Sequence, residues 1–472
     1  MILILIVIMQ TEVPVIPSIR LQALGTEFIQ LIDDPMTDLQ IFPARLAQLE
    51  RLTVYVHPEL PAPGTWGTFT LSGGLFLPRT TGLNAGIWHT FDAYDYTSVD
   101  VNTDSSNSHI DSTTTVNNSG RQQPSLMLAV PFLKEGGWAA LKFSYHYTYS
   151  NSDVYECNLY QDTSVTGADS SISCYDYHQN RLSGDHSPVW SMTLDQYLPL
   201  GDVASLDIAA KYDNLDTKTT NVDTTINSTM WASIHHSGIT RYATYFFSDG
   251  RSMTTDQGKF IRNTVSLIGT YQRLPSWGMM RISGRFEYGF GQNEDRTTET
   301  YYDRSIYRYE YSAPDTSYVS ADTQLTETSD VTEKKTDIKQ FRGYLGSGLT
   351  YYSIDNLGLF AGLKIEYFRF RVSPKDIPLC DQDNFTVTVP IGFEWYPVDY
   401  FCLRYGLWCS YEYSRSESGE DLYSQNTEQR VSGNGSIGFG LKAASHLRID
   451  FVSKSGMFSI GDDWGLDLQY AF

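Results

Sequence analysis

Hydrophobic and polar residues alternate along most of the chain after residue 50, which is the period of a β-strand with one apolar and one polar face. The segment Phe385–Trp395 alternates over its whole length, with aromatic and aliphatic side chains on one face only. The segments Met280–Phe290, Phe401–Tyr413 and Trp464–Phe472 show the same pattern. Because these segments exceed the roughly five or six residues of a typical globular strand, the pattern predicts an all-β fold with long strands.

The connections between these segments alternate between short and long. Tight turns are predicted near residues 135–137, 201–202, 275–277, 356–357, 398–399 and 445–446. Longer connections, rich in Asp, Ser, Thr, Asn and Tyr, are predicted over residues 104–123, 151–187, 214–258, 292–338, 374–384 and 415–428. Outer-membrane barrels have this asymmetry between their two ends, whereas a soluble β-sandwich has no reason to keep its long loops together.

The number and length of the strand patterns also fit a membrane barrel. A tilted membrane strand needs about 9–11 residues, which these segments supply. Fourteen patterns are clear, and two weaker ones over Leu52–His57 and Leu447–Ser453 would make 16. Since every backbone group must pair in hydrocarbon, we predict a closed antiparallel transmembrane β-barrel of about 14, and up to 16, strands over residues 51–472.

The chain before residue 51 has a different pattern. The apolar run Ile2–Met9 has the length of a secretory signal core and is too short to span a bilayer as a helix, so residues 1–24 are predicted to be a signal-peptide-like segment. A buried strand is the alternative. In residues 25–50, Asp33-Asp34-Pro35 predicts a helix start, and Leu39, Phe42, Leu46 and Leu49 recur at helical spacing.

Composition narrows the class of protein further. The 472 residues carry a net charge of −21, which excludes a nucleic-acid partner that is bound through a basic patch. Aromatic residues are abundant, with 33 Tyr, 23 Phe and 9 Trp, and they cluster near strand ends as in Tyr145, Tyr147 and Tyr149. Amphipathic rings favour the lipid headgroup level, so this clustering favours a bacterial outer-membrane location.

Charged residues recur on the polar faces of the predicted strands. Facing lipid at mid-depth, each Arg or Lys would cost about 2–4 kcal/mol, so these side chains are predicted to line the lumen. Both a polar pathway and a packed ladder of ion pairs remain open. The predicted lumen-lining residues are Arg281, Arg285, Glu287, Arg342, Lys364, Glu366, Glu394 and Arg404.

Candidate chemistry is sparse. Cys157 and Cys174 bracket a predicted loop, where a disulfide and two unpaired thiols are both open. No zinc motif such as H-E-x-x-H is present, so no metal is expected. The segment Gly433–Gly438 matches G-x-G-x-x-G but lies within a strand pattern, which argues against a dinucleotide site. We therefore expect neither a cofactor nor an enzyme.

Two segments resemble known outer-membrane proteins. The last strand, ending in the aromatic residues Tyr470 and Phe472, resembles the carboxyl-terminal assembly signal of bacterial outer-membrane barrels. Asp33-Asp34-Pro35, followed by Phe42-Pro43-Ala44-Arg45-Leu46-Ala47, resembles the amino-terminal stretch of the FadL-like superfamily of hydrophobic-compound transporters and of their PorV-like relatives. Phe42 stands where that superfamily usually has Asn.

The resemblance implies a small amino-terminal plug over residues 25–50, ahead of a 14-stranded barrel. The plug residues that it implies are Asp33, Asp34, Pro35, Phe42, Pro43, Ala44 and Leu46. The function that it implies is passive uptake of hydrophobic or small amphipathic solutes, and the chain has no phosphate-binding loop that would supply nucleotide energy. The expected partners are outer-membrane lipid and lipopolysaccharide, a hydrophobic solute and the barrel-assembly machinery.

Two other functions remain open. One is a non-transporting barrel that acts as a secretion-associated scaffold or surface-binding protein through the segments 151–187 and 292–338. The other is a general diffusion porin with little solute preference.

Overall fold

The protein is described here by a computed structural model. The described residues are 18–49, 51–60, 69–77, 83–104, 109–132, 136–166, 169–237, 240–313, 316–354, 356–374, 380–418, 424–444, 447–454 and 463–471. None of the helices in these ranges is long and apolar enough to cross a membrane.

Sixteen antiparallel strands form one closed barrel, in which each strand pairs with the next and the last pairs with the first. The strands are β1 Thr53–Leu60, β2 Phe69–Leu77, β3 Asn84–Asp104, β4 His109–Pro131, β5 Trp138–Thr166, β6 Asp169–Pro199, β7 Ala204–Ser237, β8 Thr240–Arg273, β9 Gly278–Ala313, β10 Thr316–Ile354, β11 Leu357–Pro374, β12 Cys380–Val398, β13 Phe401–Ser418, β14 Ser424–Ala444, β15 Leu447–Lys454 and β16 Asp463–Ala471. The pairing of Val54 with Tyr470 closes the barrel.

The prediction of a closed all-β barrel is confirmed, but the count of 14 strands is wrong. The two weaker patterns are the additional strands β1 and β15, which have only eight residues each. Short strands carry few alternations, which is why their pattern is weak. The barrel also departs from the 14 strands that the resemblance implies.

The two faces of the strands differ as the alternation predicts. On β9, Ile282 and Phe286 are exposed on the outer surface, while Arg281, Ser283 and Glu287 are buried inside. The same separation holds on β12 and continues around the barrel as an outward apolar band. Tyr470 is also exposed on the outer face, whereas Phe472 lies outside the described residues.

The barrel is far taller on one side than on the other. Strands β5 to β10 have 29 to 39 residues, whereas β15, β16, β1 and β2 have eight or nine. Because about 9–11 residues suffice to cross a membrane, most of β5 to β10 extends beyond the apolar band, away from the tight turns. We call this extension the wall.

The wall corrects the prediction of long loops. Residues 104–123, 151–187, 214–258 and 292–338 lie almost entirely in continuous strand pairs, as the partners Tyr155 and Asn180, or Thr300 and Ser329, illustrate. Strands also continue into 374–384 and 415–428, in which residues 375–379 and 419–423 lie outside the described part. Thr, Ser and Tyr form strands readily when both faces meet water, but such strands lack an apolar alternation.

The amino-terminal segment lies inside the barrel, and we call residues 18–49 the plug. It contains helix α1, Ile19–Leu24, and helix α2, Pro35–Ile41, with 3₁₀ turns at Thr26–Phe28 and Pro43–Gln48. The Asp34 carboxylate caps α2 by accepting a hydrogen bond from the Thr37 amide.

The plug differs from its predicted bounds in two ways. It includes α1, although the sequence pattern predicts that residues 18–24 belong to the signal-peptide-like segment. Residues 1–17 of that segment lie outside the described part. The helical spacing also does not continue unbroken, because α2 ends at Ile41 and Pro43 starts a separate 3₁₀ turn.

Candidate functional site

Apolar side chains of the plug pack against the inner surface of the barrel on several sides. Phe42 is fully buried against Ala209 and Ile268. Leu24 and Phe28 form part of a second cluster with Phe360. A third cluster joins Met36, Leu39, Ala44 and Leu46 of the plug to Tyr55, Phe76, Trp88, Met127, Ala129, Trp138 and Ala140 of β1 to β5. The plug therefore contacts the inner surface of the barrel on strands β1 to β5, β7, β8 and β11.

Arg45 is the centre of a buried ion-pair network. Its guanidinium lies 2.8 Å from the Asp207 carboxylate of β7 and 2.9 Å from the Asp38 carboxylate of α2. It also pairs with Asp33 at 2.7 Å. From the opposite side, Arg281 of β9 donates to Asp38 at 2.9 Å and to the Ile32 carbonyl at 2.5 Å. Asp38 thus joins one arginine of the plug to one of the barrel.

A second network holds the other end of the plug. Arg20 of α1 forms two hydrogen bonds with the Glu394 carboxylate of β12, at 2.8 and 3.0 Å. Glu394 also accepts a hydrogen bond from Arg404 at 2.8 Å, and Arg404 pairs with Asp450 at 2.7 Å. This chain of alternating charges links the plug to β12, β13 and β15.

Barrel side chains also satisfy the plug backbone. Lys142 donates to the Gln40 carbonyl at 2.6 Å, Ser283 to the Gln30 carbonyl at 2.6 Å, and Asn84 to the Leu46 carbonyl at 2.7 Å. In the opposite direction, the Ala44 amide donates to the Asp195 carboxylate at 2.8 Å. These bonds explain how irregular backbone is accommodated at membrane depth, since it needs partners there.

Two barrel glycines allow the plug backbone to approach closely. A Cβ atom at Gly406 of β13 would overlap the Leu24 carbonyl group. A Cβ atom at Gly348 of β10 would overlap the Leu31 carbonyl group in the same way. Any larger residue at either position would have to move the plug or the strand.

The predicted lumen-lining residues fall into two groups. Arg281, Glu394 and Arg404 take part in the plug networks, and Lys364 lies 3.4 Å from Glu27 of the plug. The others form ion pairs on the barrel itself, Arg285 with Glu287 at 2.6 Å and Arg342 with Glu366 at 2.5 Å. All eight residues therefore take part in ion pairs in the structure.

The residues that the resemblance assigns to a plug lie in the plug of the structure. Asp33 binds Arg45, Asp34 caps α2, and Pro35 occupies its first turn. Phe42, Pro43, Ala44 and Leu46 are buried. Sequence reasoning missed the ion-pairing roles of Arg20, Asp38 and Arg45, since no local motif marks residues whose partners lie on distant strands.

A group of apolar side chains, which we call the apolar cluster, lies on the inner face farther from the tight turns than the plug. It consists of Val189, Leu215, Phe260, Ile338 and Phe370, from five strands between β6 and β11. All five side chains are buried. In a barrel with a water-filled channel, side chains on the inner face would instead contact water. Apolar side chains from five strands therefore pack together on the inner face at this level.

The structure argues against the disulfide considered above. Cys157 pairs in register with His178, whereas Cys174 pairs with Gln161. This offset of four residues separates the two cysteines by about 13 Å along the strands, beyond the reach of a disulfide. Neither cysteine is bonded to another in the structure.

Replacing Arg45 by Met is expected to weaken the plug strongly. The substitution leaves the buried Asp38 and Asp207 carboxylates without their shared cation, which typically costs about 3–5 kcal/mol. Amide hydrogen exchange over residues 18–49 should accelerate by two or more orders of magnitude in the variant. The control is Arg308→Met, because Arg308 forms only an exposed pair with Glu310. Unchanged exchange in Arg45→Met would contradict this account of the network.

Comparison with known proteins does not assign the chain to a family. No family model matches it, and none of the curated proteins does. Among solved structures, the CymD monoaromatic hydrocarbon channel is 9% identical with a TM-score of 0.34, the alignment covering 96% of this chain and 97% of that one. The FrpB iron transporter (F3-3 variant) from Neisseria meningitidis is 10% identical with a TM-score of 0.31, covering 93% and 83%. The siderophore receptor PirA from Acinetobacter baumannii is 10% identical with a TM-score of 0.27, covering 89% and 80%.

The architecture of the chain itself identifies its location. The chain forms a closed antiparallel barrel with an apolar band on its outer surface, tight turns at one end and long strands at the other. Bacterial outer-membrane proteins have this architecture. The protein is therefore located in a bacterial outer membrane.

Proposed function

We propose that the protein is a plugged outer-membrane barrel for passive uptake of small hydrophobic or amphipathic solutes. The apolar cluster is the observation that carries this proposal, because it places five apolar side chains on an inner face that is usually polar. Phe368 and Val372 pack against the same cluster. A solute that enters between the strands of the wall would meet this surface before the plug.

The plug sets the order of events in this proposal. A hydrophobic solute can replace apolar contacts in the cluster, because it brings no charge that needs a partner. An ion would bring an unpaired charge into this apolar surface, which costs free energy. The plug must then move at one edge, since its ion pairs to Asp207 and Glu394 lie on different sides of the barrel. A general diffusion porin is disfavoured because the plug lies inside the barrel, packs against β1 to β5 and is ion-paired to Asp207 of β7 and Glu394 of β12.

Replacing Phe260 by Ser tests the proposed route. Burial of a Phe side chain is worth about 1.5–3 kcal/mol, so loss of this contact should reduce entry of an apolar fluorescent solute into proteoliposomes about tenfold or more. The control is Met253→Ser, on the same strand but exposed on the outer face of the wall. Entry that is equal in the wild type, both variants and protein-free liposomes would rule out uptake through the barrel.

A surface-binding protein is the second candidate, and the wall favours it. The wall presents Tyr, Ser, Thr and Asp on paired strands, a composition that suits protein or glycan contacts. Shortening the β9–β10 hairpin should abolish partner binding if this function is correct. The same shortening should leave solute entry unchanged if the protein is instead an uptake barrel. Lipopolysaccharide and the barrel-assembly machinery likewise remain proposed partners.

A further inference from the structure

Three side chains with different ligand atoms meet on the outer face of the wall. Cys157 of β5 and His178 of β6 are direct register partners, and Asp176 lies two residues from His178 on the same face. The thiol sulfur, one imidazole nitrogen and one carboxylate oxygen all lie within 4.8 Å of one another. The group lies beyond the aromatic residues that end the apolar band on β5, and therefore outside the membrane.

The His178 ring is already oriented towards the other two side chains. Its Nε2 atom lies 2.9 Å from the Asp176 carboxylate, and its Nδ1 atom lies 2.8 Å from the Tyr155 hydroxyl. Histidines that bind metals usually bond through their second nitrogen to an oxygen acceptor, which fixes the ring and the tautomer. Tyr155 supplies such an oxygen here.

The spacing of the ligand atoms suits a small tetrahedral ion. Two ligands at about 2.0–2.1 Å from a tetrahedral zinc ion are about 3.3 Å apart. The nitrogen–oxygen separation in the structure is 2.9 Å, so a bound ion would move these two atoms apart by only a few tenths of an ångström. The Cys157 sulfur, which bonds to zinc at about 2.3 Å, lies within 4.8 Å of both other ligand atoms. The mixed sulfur, nitrogen and oxygen set is typical of zinc and less suited to calcium or magnesium, which prefer oxygen alone.

We propose that Cys157, Asp176 and His178 bind a zinc ion on the outer face of the wall, with the fourth position open to water or to an external ligand. Asp176 and His178 keep 42% and 33% of their side-chain surface exposed, so the ion can enter from solvent. A thiolate and a carboxylate together neutralise the charge of the ion.

A nucleophilic cysteine is the other chemistry that these residues suggest, and the structure disfavours it. Burial and the nearby Asp176 carboxylate raise the pKa of the Cys157 thiol. Reactive cysteines have a lowered pKa instead, because the thiolate is the nucleophile. A metal ligand needs no such lowering in the free protein, since the bound ion itself supplies the charge that deprotonates the thiol. The two ring nitrogens of His178 also lie within hydrogen-bond distance of Asp176 and Tyr155, so the ring is not positioned to act as a base for the thiol alone.

Local sequence spacing gives no sign of this site. Zinc motifs place their ligands a few residues apart, whereas Cys157 and His178 lie on separate strands and meet only through the β5–β6 register. The sequence predicts no metal because it contains no local zinc motif. In the structure, the pairing of β5 with β6 brings the three side chains together instead.

The test is titration of the detergent-refolded full chain with cobalt(II), followed by displacement with zinc. Coordination by the Cys157 thiolate should produce a sulfur-to-cobalt charge-transfer band in the near ultraviolet, which zinc removes. Cys157→Ser should abolish the band, and His178→Ala should weaken zinc binding about 100-fold or more. Tyr155→Phe should weaken it about 10–100-fold, as expected for a residue that orients a ligand.

Cys174→Ser is the matched control, since Cys174 lies on the same hairpin but outside the ligand group. It should keep the full band. Far-ultraviolet circular dichroism must show the same strand content in every variant. No band in the wild type, or a band that survives in Cys157→Ser, would overturn the proposal. Because no solute entry is measured, failure here is distinct from failure of the proposed uptake.

Discussion

Deletion of the plug, residues 18–49, is expected to convert a barrel with little ion conductance into an open channel. Barrels of about 16–18 strands are wide enough to leave an aqueous lumen when nothing fills them. In this structure, the plug occupies that space and is bound to opposite sides of the barrel through Arg45 and Arg20. Its removal exposes the charged side chains Asp207, Arg281 and Glu394, which water and ions can then reach.

Single-channel recording in a planar bilayer measures the effect. The intact protein should be almost silent, and the deletion variant should show large, stable steps. A matched control replaces Thr300–Ser329 by an Asn-Gly turn, which removes a similar length of chain from the tip of the β9–β10 hairpin. This control should stay silent. Silence of the plug deletion would mean that the apolar cluster closes the lumen without help from the plug.

The alternation of apolar and polar residues was sufficient to predict the membrane part of the barrel. On β12, Phe385 and Trp395 face outwards while Thr388 and Glu394 are buried, as the two-residue period requires. A one-residue slip would place Glu394 in lipid, so the pattern determines the orientation of the strand strongly. Closure then follows from the need to pair every backbone group.

The wall was not predictable by the same argument. Residues 300–329 have polar side chains on both faces, because water is present on both sides beyond the membrane. Without an apolar face, the two-residue period disappears, and a paired strand cannot be distinguished from a polar loop. The pattern of the eight-residue strand β15 is weak for a different reason, since so short a strand offers only a few alternations.

The plug was predictable as a segment but not in its contacts. Asp34 and Pro35 indicate a helix start from local chemistry alone, and α2 begins there. The barrel partner of Arg45, in contrast, is Asp207, 162 residues away in sequence. Such a pairing depends on which strand faces which side of the plug, and that is decided by closure of the whole barrel.

Replacing Gly406 by Val is expected to dislodge α1 without removing any part of the chain. A Cβ atom at this position would overlap the Leu24 carbonyl group, and a backbone atom cannot move aside as a flexible side chain can. Valine itself suits a strand, so β13 has no reason to unfold. The strain therefore acts on the plug, whose link between Arg20 and Glu394 lies next to this contact.

The expected result is faster hydrogen exchange over residues 18–24 and intermittent conductance, smaller than that of the plug deletion because α2 stays bound through Arg45. Gly284→Val is the matched control, since the nearest atom to a Cβ there is 3.7 Å away, an ordinary contact. It should behave as the wild type does. Equal conductance and equal hydrogen exchange in Gly406→Val and Gly284→Val would contradict this prediction. In that case α1 tolerates displacement at the Gly406 contact, and closure of the lumen depends on α2 and the apolar cluster alone.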